Sequence, residues 1–439
     1  MEFKFIINKG NGGFGIVDKV SDTNGVEYAK KTFSINQGPS FPKELEENVK
    51  KRFIREAKIQ NEINHYNIVP ITHTFLEEEP PYFVMKLAEA SLYEDMMKDL
   101  TLGGKFMDCI LDILAGLEEL HSMEIYHRDL KPANILRFKN GRDYYAIGDF
   151  GLMSINQTRL SSLTQTGMRM GSDYYTAPEI VKDLKNSSAQ SDIYSIGCII
   201  HDFIGNEERI PCGEIDEDNE YSGILRNCTR KDPSRRFKSV KDLREALLSL
   251  GEIDLSSKTT ENEELFAYLE KEPEDISEDY WNKIISFIED KFDHEDSSLL
   301  MQKITIFQLN FLLDNYINHG NRLGILYARW IRNTAFNFEY CDALSIKLSK
   351  FIDVCKLNVK SECLMAMLYL GTGHNRWYVE RMFVSYVTHK MEINLAKRLA
   401  IEFITDSSKA KQAIIHLTHS ISLSINTLHP QLITAYKKI

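Results

Sequence analysis

Long apolar runs, paired cysteines and, toward the end of the chain, prolines are what these 439 residues lack. No apolar run approaches the ~20 residues that span a bilayer, so no membrane partner is expected and the expected location is cytoplasmic. The amino terminus, Met1-Glu2-Phe3-Lys4-Phe5-Ile6-Ile7, has neither the long apolar core nor the small-residue cleavage site of a secretion signal. Seven cysteines stand at 109, 198, 212, 228, 341, 355 and 363, with no C-x-x-C pair and an odd count. That argues against a disulfide framework or a zinc site and for reduced thiols. Beyond residue 261 prolines occur only at 273 and 430, so nothing there interrupts a helix often.

What is present is an ordinary globular composition, 43% hydrophobic and 27% charged, in a chain with room for two or three domains. The net charge of −11 is unevenly spread. Residues 252–296 hold 16 acidic and 4 basic side chains, and residues 297–439 hold 17 basic and 9 acidic ones. Such a change of sign marks a change of character between residues 250 and 300. Two solvated faces account for it, and so would an electrostatic contact within the chain or with a partner.

Short apolar runs broken by Gly10, Gly12, Gly13, Gly15 and the Asn24-Gly25 hairpin signal predict strands over residues 3–33. A charged helix is expected over 43–63, a short strand over 82–87, a helix over 105–121 and a buried apolar helix over 191–204. The Ser/Thr/Gly/Met stretch from 149 to 179 reads as a loop. From 261 onward helical periodicity recurs at 278–291, 299–318, 322–335, 340–355, 361–370, 376–389 and 392–404. Thr260 with Glu263 reads as a capping box opening that region. Residues 251–261 read as a linker between a domain at 1–250 and an all-helical one at 262–439.

Five clusters carry chemistry. Gly10-Asn11-Gly12-Gly13-Phe14-Gly15-Ile16-Val17 fits G-x-G-x-x-G with a valine two places on. Glycines let a backbone approach phosphates closely. In a Rossmann fold a helix must follow this spacing; here a strand follows, favouring a glycine-rich hairpin over ATP. In Tyr28-Ala29-Lys30-Lys31, alternation along a strand puts Ala29 and Lys31 on one face. Lys31 is therefore assigned to the phosphates, with Lys30 as the alternative. Glu56 on the charged helix is the anion expected to hold Lys31, although Gln60, one turn on, stands where an apolar residue would pack better. His127-Arg128-Asp129-Leu130-Lys131-Pro132-Ala133-Asn134 is followed by Asp149-Phe150-Gly151. Asp129 is placed to accept a hydroxyl proton and Lys131 to neutralise charge on a transferred phosphoryl group. Asn134 and Asp149 offer the oxygen ligands that Mg²⁺ prefers.

Over residues 1–250 the chain resembles the eukaryotic-like (Hanks-type) protein kinases. Met85 matches the gatekeeper, ahead of a hinge at Lys86, Leu87 and Ala88. Gly171-Ser172-Asp173-Tyr174-Tyr175-Thr176-Ala177-Pro178-Glu179 resembles the G-T-x-x-Y-x-A-P-E segment. The stretch from Asp192 to Gly197 resembles the helix supporting the catalytic loop, and Asp232 to Arg236 the late arginine motif. The resemblance implies an α+β bilobal kinase fold followed by an all-α domain. It also implies ATP and Mg²⁺ as cofactors, a protein substrate, and a pairing of Glu179 with Arg236. Lys131 has the spacing typical of Ser/Thr kinases. Thr164 and Thr166 resemble the twin-threonine activation loop of bacterial Ser/Thr kinases, so autophosphorylation is expected there, with Arg128 receiving the phosphate. Ser172 is the weaker candidate, because its family equivalent bonds to the base and the catalytic lysine. Signalling or phage exclusion is the biological setting suggested by analogy of fold alone.

There are departures. Lys86 replaces a common hinge glutamate, and Phe237 stands where proline is usual. The stretch from Asp192 to Arg236 is short, and its acidic centre, Asn206 to Tyr221, shows little helical pattern, so the helix that helps dock peptide is expected to be missing or rebuilt. A pseudokinase would have lost one of Lys31, Asp129, Asn134 or Asp149. A small-molecule kinase would lack Lys131 and the A-P-E segment. A binding module at 262–439 remains open, as a protein partner site or an autoregulatory contact. Its arginines 322, 329, 332, 376, 381 and 398 and Lys397 could suit nucleic acid, but no recognised motif accompanies them and nucleic acid is not the expected partner.

Overall fold

The glycine-rich stretch folds as strands. In the computed structural model, β1 (Lys4–Gly12) pairs antiparallel with β2 (Gly15–Ser21), and β2 with β3 (Glu27–Phe33). The structure describes residues 2–12, 14–35, 43–150, 174–182, 186–206, 208–250 and 262–439. With β4 (Ile71–Phe75) and β5 (Tyr82–Lys86) the strands form a five-stranded sheet in the order β1-β2-β3-β5-β4. One helix, α1 (Lys43–Glu62), packs on it. Val49, Phe53 and Ala57 recur every four residues, so they share a face, and all three are fully buried against Phe33 and Phe83. The same helix buries Glu56 and Gln60. The Gln60 amide donates to the Val69 carbonyl at 2.8 Å, which explains a polar residue at a packing position.

After β5 come β6 (Ala90–Ser91), α2 (Leu92–Met96), α3 (Phe106–Ser122), β7 (Ile135–Asn140) and β8 (Arg142–Ile147). Strands β6, β7 and β8 form a small antiparallel sheet. Then follow α4 (Pro178–Lys182), α5 (Ala189–Ile204), α6 (Ser222–Thr229) and α7 (Val240–Ser249). Helix α5 is buried along most of its length, as its apolar sequence requires. No helix forms between Ile204 and Ser222 among the described residues, in keeping with the weak pattern there.

The chain divides into two compact units, Met1–Leu243 and Arg244–Ile439, and the division falls inside α7. In the second unit the structure is helical: α8 (Glu263–Tyr268), α9 (Glu278–Asp290), α10 (Glu295–Lys303), α11 (Ile306–Asn315), α12 (Ile317–Asn333), α13 (Tyr340–Val354), α14 (Leu357–His374), α15 (Trp377–Tyr386), α16 (Ile393–Thr405), α17 (Ser407–Ser420) and α18 (Pro430–Tyr436). Helix α14 is apolar nearly all round, and α12, α13, α15, α16 and α17 pack against it. Two ion pairs lie in this unit: Lys347 to Glu245 at 3.0 Å, both buried, and the partly exposed Arg376 to the buried Asp342 at 2.6 Å.

The single helix expected over 299–318 is broken into parts of α10, α11 and α12. Thr305 caps α11 by accepting from the Gln308 amide, and the Gln308 side chain reaches back to the Thr305 N–H. The expected capping box at Thr260 and Glu263 does not open α8, whose N-cap is Asn262, so that Glu263 is its first residue. Helices α17 and α18 were not expected. Residues 251–261 lie outside the described residues.

Candidate active site

Three elements meet at Lys31. Strand β3 pairs Lys31 with Val17 on one side and Phe83 on the other. Its ammonium donates to Asp149 Oδ1 at 2.5 Å and to Glu56 Oε1 at 3.4 Å. Lys30, on the other face, lies 3.9 Å from the Tyr82 ring centroid, away from these carboxylates. Burial alone would lower the Lys31 pKa, but Asp149 and Glu56 outweigh it and hold the ammonium above its usual range. Burial pushes the Glu56 carboxyl up to about 8, only partly offset by Lys31. The geometry agrees: Lys31 leans toward Asp149, and Glu56 Oε2 is buried without a hydrogen-bond partner. Burial would also raise Asp149, but Lys31 holds it below the usual carboxylate range.

The hairpin leads directly into this cluster. Gly10 pairs with Val17, Asn11 with Ile16 and Gly12 with Gly15. A Cβ at Gly15 would lie 3.3 Å from the Thr32 carbonyl oxygen and 3.5 Å from Lys31 Cε, so a larger residue would crowd the lysine stem. Phe14 packs back against the Phe33 and Phe53 cluster, while Gly13 lies outside the described residues. Ala29 pairs with Met85 across β3 and β5, and Leu87 beyond them is half-buried. Lys86 donates to the Tyr144 hydroxyl at 3.2 Å.

The second cluster is the loop after α3. Lys131 donates to Asp129 Oδ2 at 2.7 Å. Asn134 Nδ2 donates to the Asp129 carbonyl at 2.8 Å and to Oδ2 at 3.1 Å, which leaves the Asn134 amide oxygen for another partner. Arg128 and Asp149 both have positive φ, 70° and 58°, a conformation that side chains adopt only when surroundings impose it. For Arg128 the constraint comes from Asp192 on α5. Its Oδ1 accepts from the Arg128 N–H at 3.0 Å, and its Oδ2 from the His127 N–H and from His121 Nε2, both at 2.8 Å. Burial would raise Asp192, but these donors hold it below the usual range. His127 in turn donates from Nε2 to the Gly148 carbonyl at 3.0 Å, tying the Asp129 loop to the residue before Asp149.

Arg236, fully buried, makes a forked contact with Glu179: Nη1 to Oε1 at 2.7 Å and Nη2 to Oε2 at 2.9 Å. The structure therefore brings together Lys31, Glu56 and Asp149; Asp129, Lys131 and Asn134; and Glu179 with Arg236. Thr164, Thr166 and Ser172 lie outside the described residues. The His121 contact is not marked by any short motif, since His121 stands 71 residues from Asp192 in the chain.

The residues fit a metal-bound nucleotide. Asn134 and Asp149 offer two oxygens, and Mg²⁺ usually takes one or two protein ligands and completes its shell with phosphates and water. Among the described residues no group of three or more His, Cys, Asp or Glu could hold a metal by itself.

The protein kinase domain family matches residues 3–286. The chain belongs to the protein kinase family. Relatives include a probable serine/threonine-protein kinase of Streptomyces coelicolor, 28% identical over 54% of this chain and 38% of its own length. The probable serine/threonine-protein kinase PknB of Lactococcus lactis is 33% identical over 42% of this chain and 28% of its own length. A probable cyclin-dependent kinase 8 of Dictyostelium discoideum is 29% identical over 51% of this chain and 62% of its own length. The chain thus spans less than two thirds of these relatives. A solved structure titled PpkA-294 apo form aligns with a TM-score of 0.47 at 17% identity, covering 56% of this chain and 96% of that one. No described helix is long and apolar enough to cross a membrane.

Proposed function

We propose that this chain transfers the γ-phosphoryl group of ATP to serine or threonine hydroxyls of proteins. The observation that carries the proposal is the Lys31–Asp149–Glu56 cluster standing with the Asp129–Lys131–Asn134 loop in one kinase domain. The hairpin from Gly10 to Val17 covers the phosphates, Ala29, Met85 and Leu87 border the adenine, and Lys31 orients the phosphates. Asp129 takes the acceptor hydroxyl's proton, and Lys131 offsets the charge that develops beside it. Asn134 and Asp149 would hold Mg²⁺, which would supply positive charge against the phosphates. The two clusters are held in register by Asp192 and by His127.

Control is proposed to lie in autophosphorylation at Thr164 and Thr166. What supports it is Arg128, whose buried Nε has no hydrogen-bond partner among the described residues and so suits an anion. Residues 262–439 are proposed as a regulatory or protein-binding region that follows a kinase domain ending near residue 250. The test is transfer of labelled phosphate from ATP, with Mg²⁺, to casein and to the chain itself, followed by phosphoamino-acid analysis. Phosphoserine and phosphothreonine are expected, and none with Asp129→Asn. Dominant phosphotyrosine, or equal labelling with Asp129→Asn, would overturn the assignment. Full activity of Thr164→Ala/Thr166→Ala in protein bearing no phosphate there would remove the loop as the switch.

A further inference from the structure

Where the sequence lacks a helix, between α5 and α6, the chain places one well-buried arginine. Arg209 has a side chain 7% exposed. Its Nε and Nη2 donate to Asp202 Oδ1 at 3.1 and 2.6 Å, and its Nη1 to the Tyr174 carbonyl at 2.5 Å. The guanidinium lies 4.9 Å from the Tyr175 ring centroid and 5.5 Å from that of Tyr174. The Tyr175 hydroxyl donates to the other oxygen of Asp202 at 2.7 Å. Arg209 and Asp202 together clamp the two residues that lead into Ala177-Pro178-Glu179.

The same short strip is fixed at two more points. Ser195 Oγ donates to the Tyr175 carbonyl at 2.8 Å, and Arg236 holds Glu179. Ser195 and Asp202 are both on α5, as is Asp192, from which the Asp129 loop hangs. A helix rises 1.5 Å per residue, so about 15 Å of rigid helix separates the carboxylate that sets the Asp129 loop from the one that sets the strip. The nucleotide-facing groups Lys31, Glu56 and the hairpin belong to the other sheet-rich part and share none of these contacts.

We infer that Arg209 is a positioning residue for the protein acceptor: it fixes the Tyr174–Tyr175 strip in register with Asp129, so that an acceptor laid along the strip presents its hydroxyl to the base. The inference rests on the phosphotransfer reading above. Asp202 is fully engaged by Arg209 and Tyr175, so it offers no free carboxylate to a basic acceptor. Removing the arginine leaves that carboxylate with one hydroxyl partner and loosens Tyr174.

The test is steady-state transfer of phosphate by the full chain to dephosphorylated casein, with ATP and casein each varied. Arg209→Ala should raise the KM for casein about tenfold or more, the scale set by losing a buried charged hydrogen-bond partner, with the KM for ATP within about twofold. Arg209→Lys, which keeps the charge against Asp202 but not the fork, should fall between. Asp202→Asn, nearly isosteric, should raise the casein KM in the same selective way and serves if Arg209→Ala does not fold. A casein KM unchanged in Arg209→Ala and Asp202→Asn, or casein and ATP constants rising together, would overturn the inference. Absence of phosphotransfer by the unsubstituted chain would instead sink the reading it rests on, and that failure is visible without any variant.

Discussion

At Lys31 the neighbouring residue is the natural control. Lys31→Ala removes the only described cation that touches both Asp149 and Glu56, and phosphotransfer should fall by about a hundredfold or more, as for loss of one preorganised charge in a site. Lys30→Ala, which loses only a contact with the Tyr82 ring, should stay within about twofold. Steady-state rates of the two variants decide between the residues, and the reverse pattern would mean that strand register does not govern the choice. Glu56 offers a second prediction. Its folded pKa, about 8, lies above the ordinary 4.5, so the folded chain keeps a proton that the unfolded chain has shed. Its contribution to stability is complete below pH 4.5, declines as pH rises, and is gone above about 8. Thermal melts of the parent and Glu56→Gln should therefore diverge across that window, with the variant gaining relative to the parent as pH rises. A constant difference from pH 5 to 9 would refute the raised carboxyl.

Among the elements, α5 carries more of the site than any motif announces. Gly197 sits where a Cβ would come 2.4 Å from Cys228 Cβ and 3.1 Å from Thr229 Cγ2 on α6. Alanine would gain about 1 kcal/mol of helix propensity, but overpacking costs about 1–3 kcal/mol. The clash is with a backbone-proximal atom, so it wins, and Gly197→Ala should lower the urea midpoint without changing the slope. Much of this element level was legible. Strand alternation puts Lys31 and not Lys30 on the face of β3 that meets α1, and the structure has the Lys31 ammonium beside Glu56 and Asp149. Ordered motif spacing placed Asp129, Asn134 and Asp149 in one domain. Periodicity failed where its physical basis fails. Helix α14 is apolar nearly all round in its middle, and its more polar first and last turns blur its limits, so the pattern marks only 361–370 of Leu357–His374. The break at Thr305 rests on a Thr-x-x-Gln capping box set between two apolar runs, which together present the pattern of one helix. Arg209 and His121 were unreadable, since their partners are set by tertiary placement.

For the whole molecule, the informative pair is Lys347 and Glu245, with side chains only 1% and 2% exposed. Removing one member of such a pair leaves a buried charge alone, which costs about 3–5 kcal/mol, whereas replacing both with apolar residues can be neutral. Lys347→Ala should therefore lower the melting temperature sharply, and Lys347→Met with Glu245→Leu should restore most of it; equal loss in both would argue that packing, not charge, is at stake. Cutting the chain gives the same test in another form. A fragment of residues 251–439 strands Lys347, and one of 240–439 does not, so circular-dichroism melting should separate them in favour of the longer piece.

Helix α7 thus serves two masters: Val240 to Leu243 belong to the first unit, and Arg244 to Ser249 to the second. Arg244 adds to this, its guanidinium lying 4.9 Å from the Tyr378 ring centroid. A recombination crossover placed after α7, between residues 250 and 262, would hand the helical region to a new host without Glu245, the anion that pairs with Lys347. Grafts of this region onto other proteins should begin at or before residue 243, carrying the end of the donor's helix as part of the cargo.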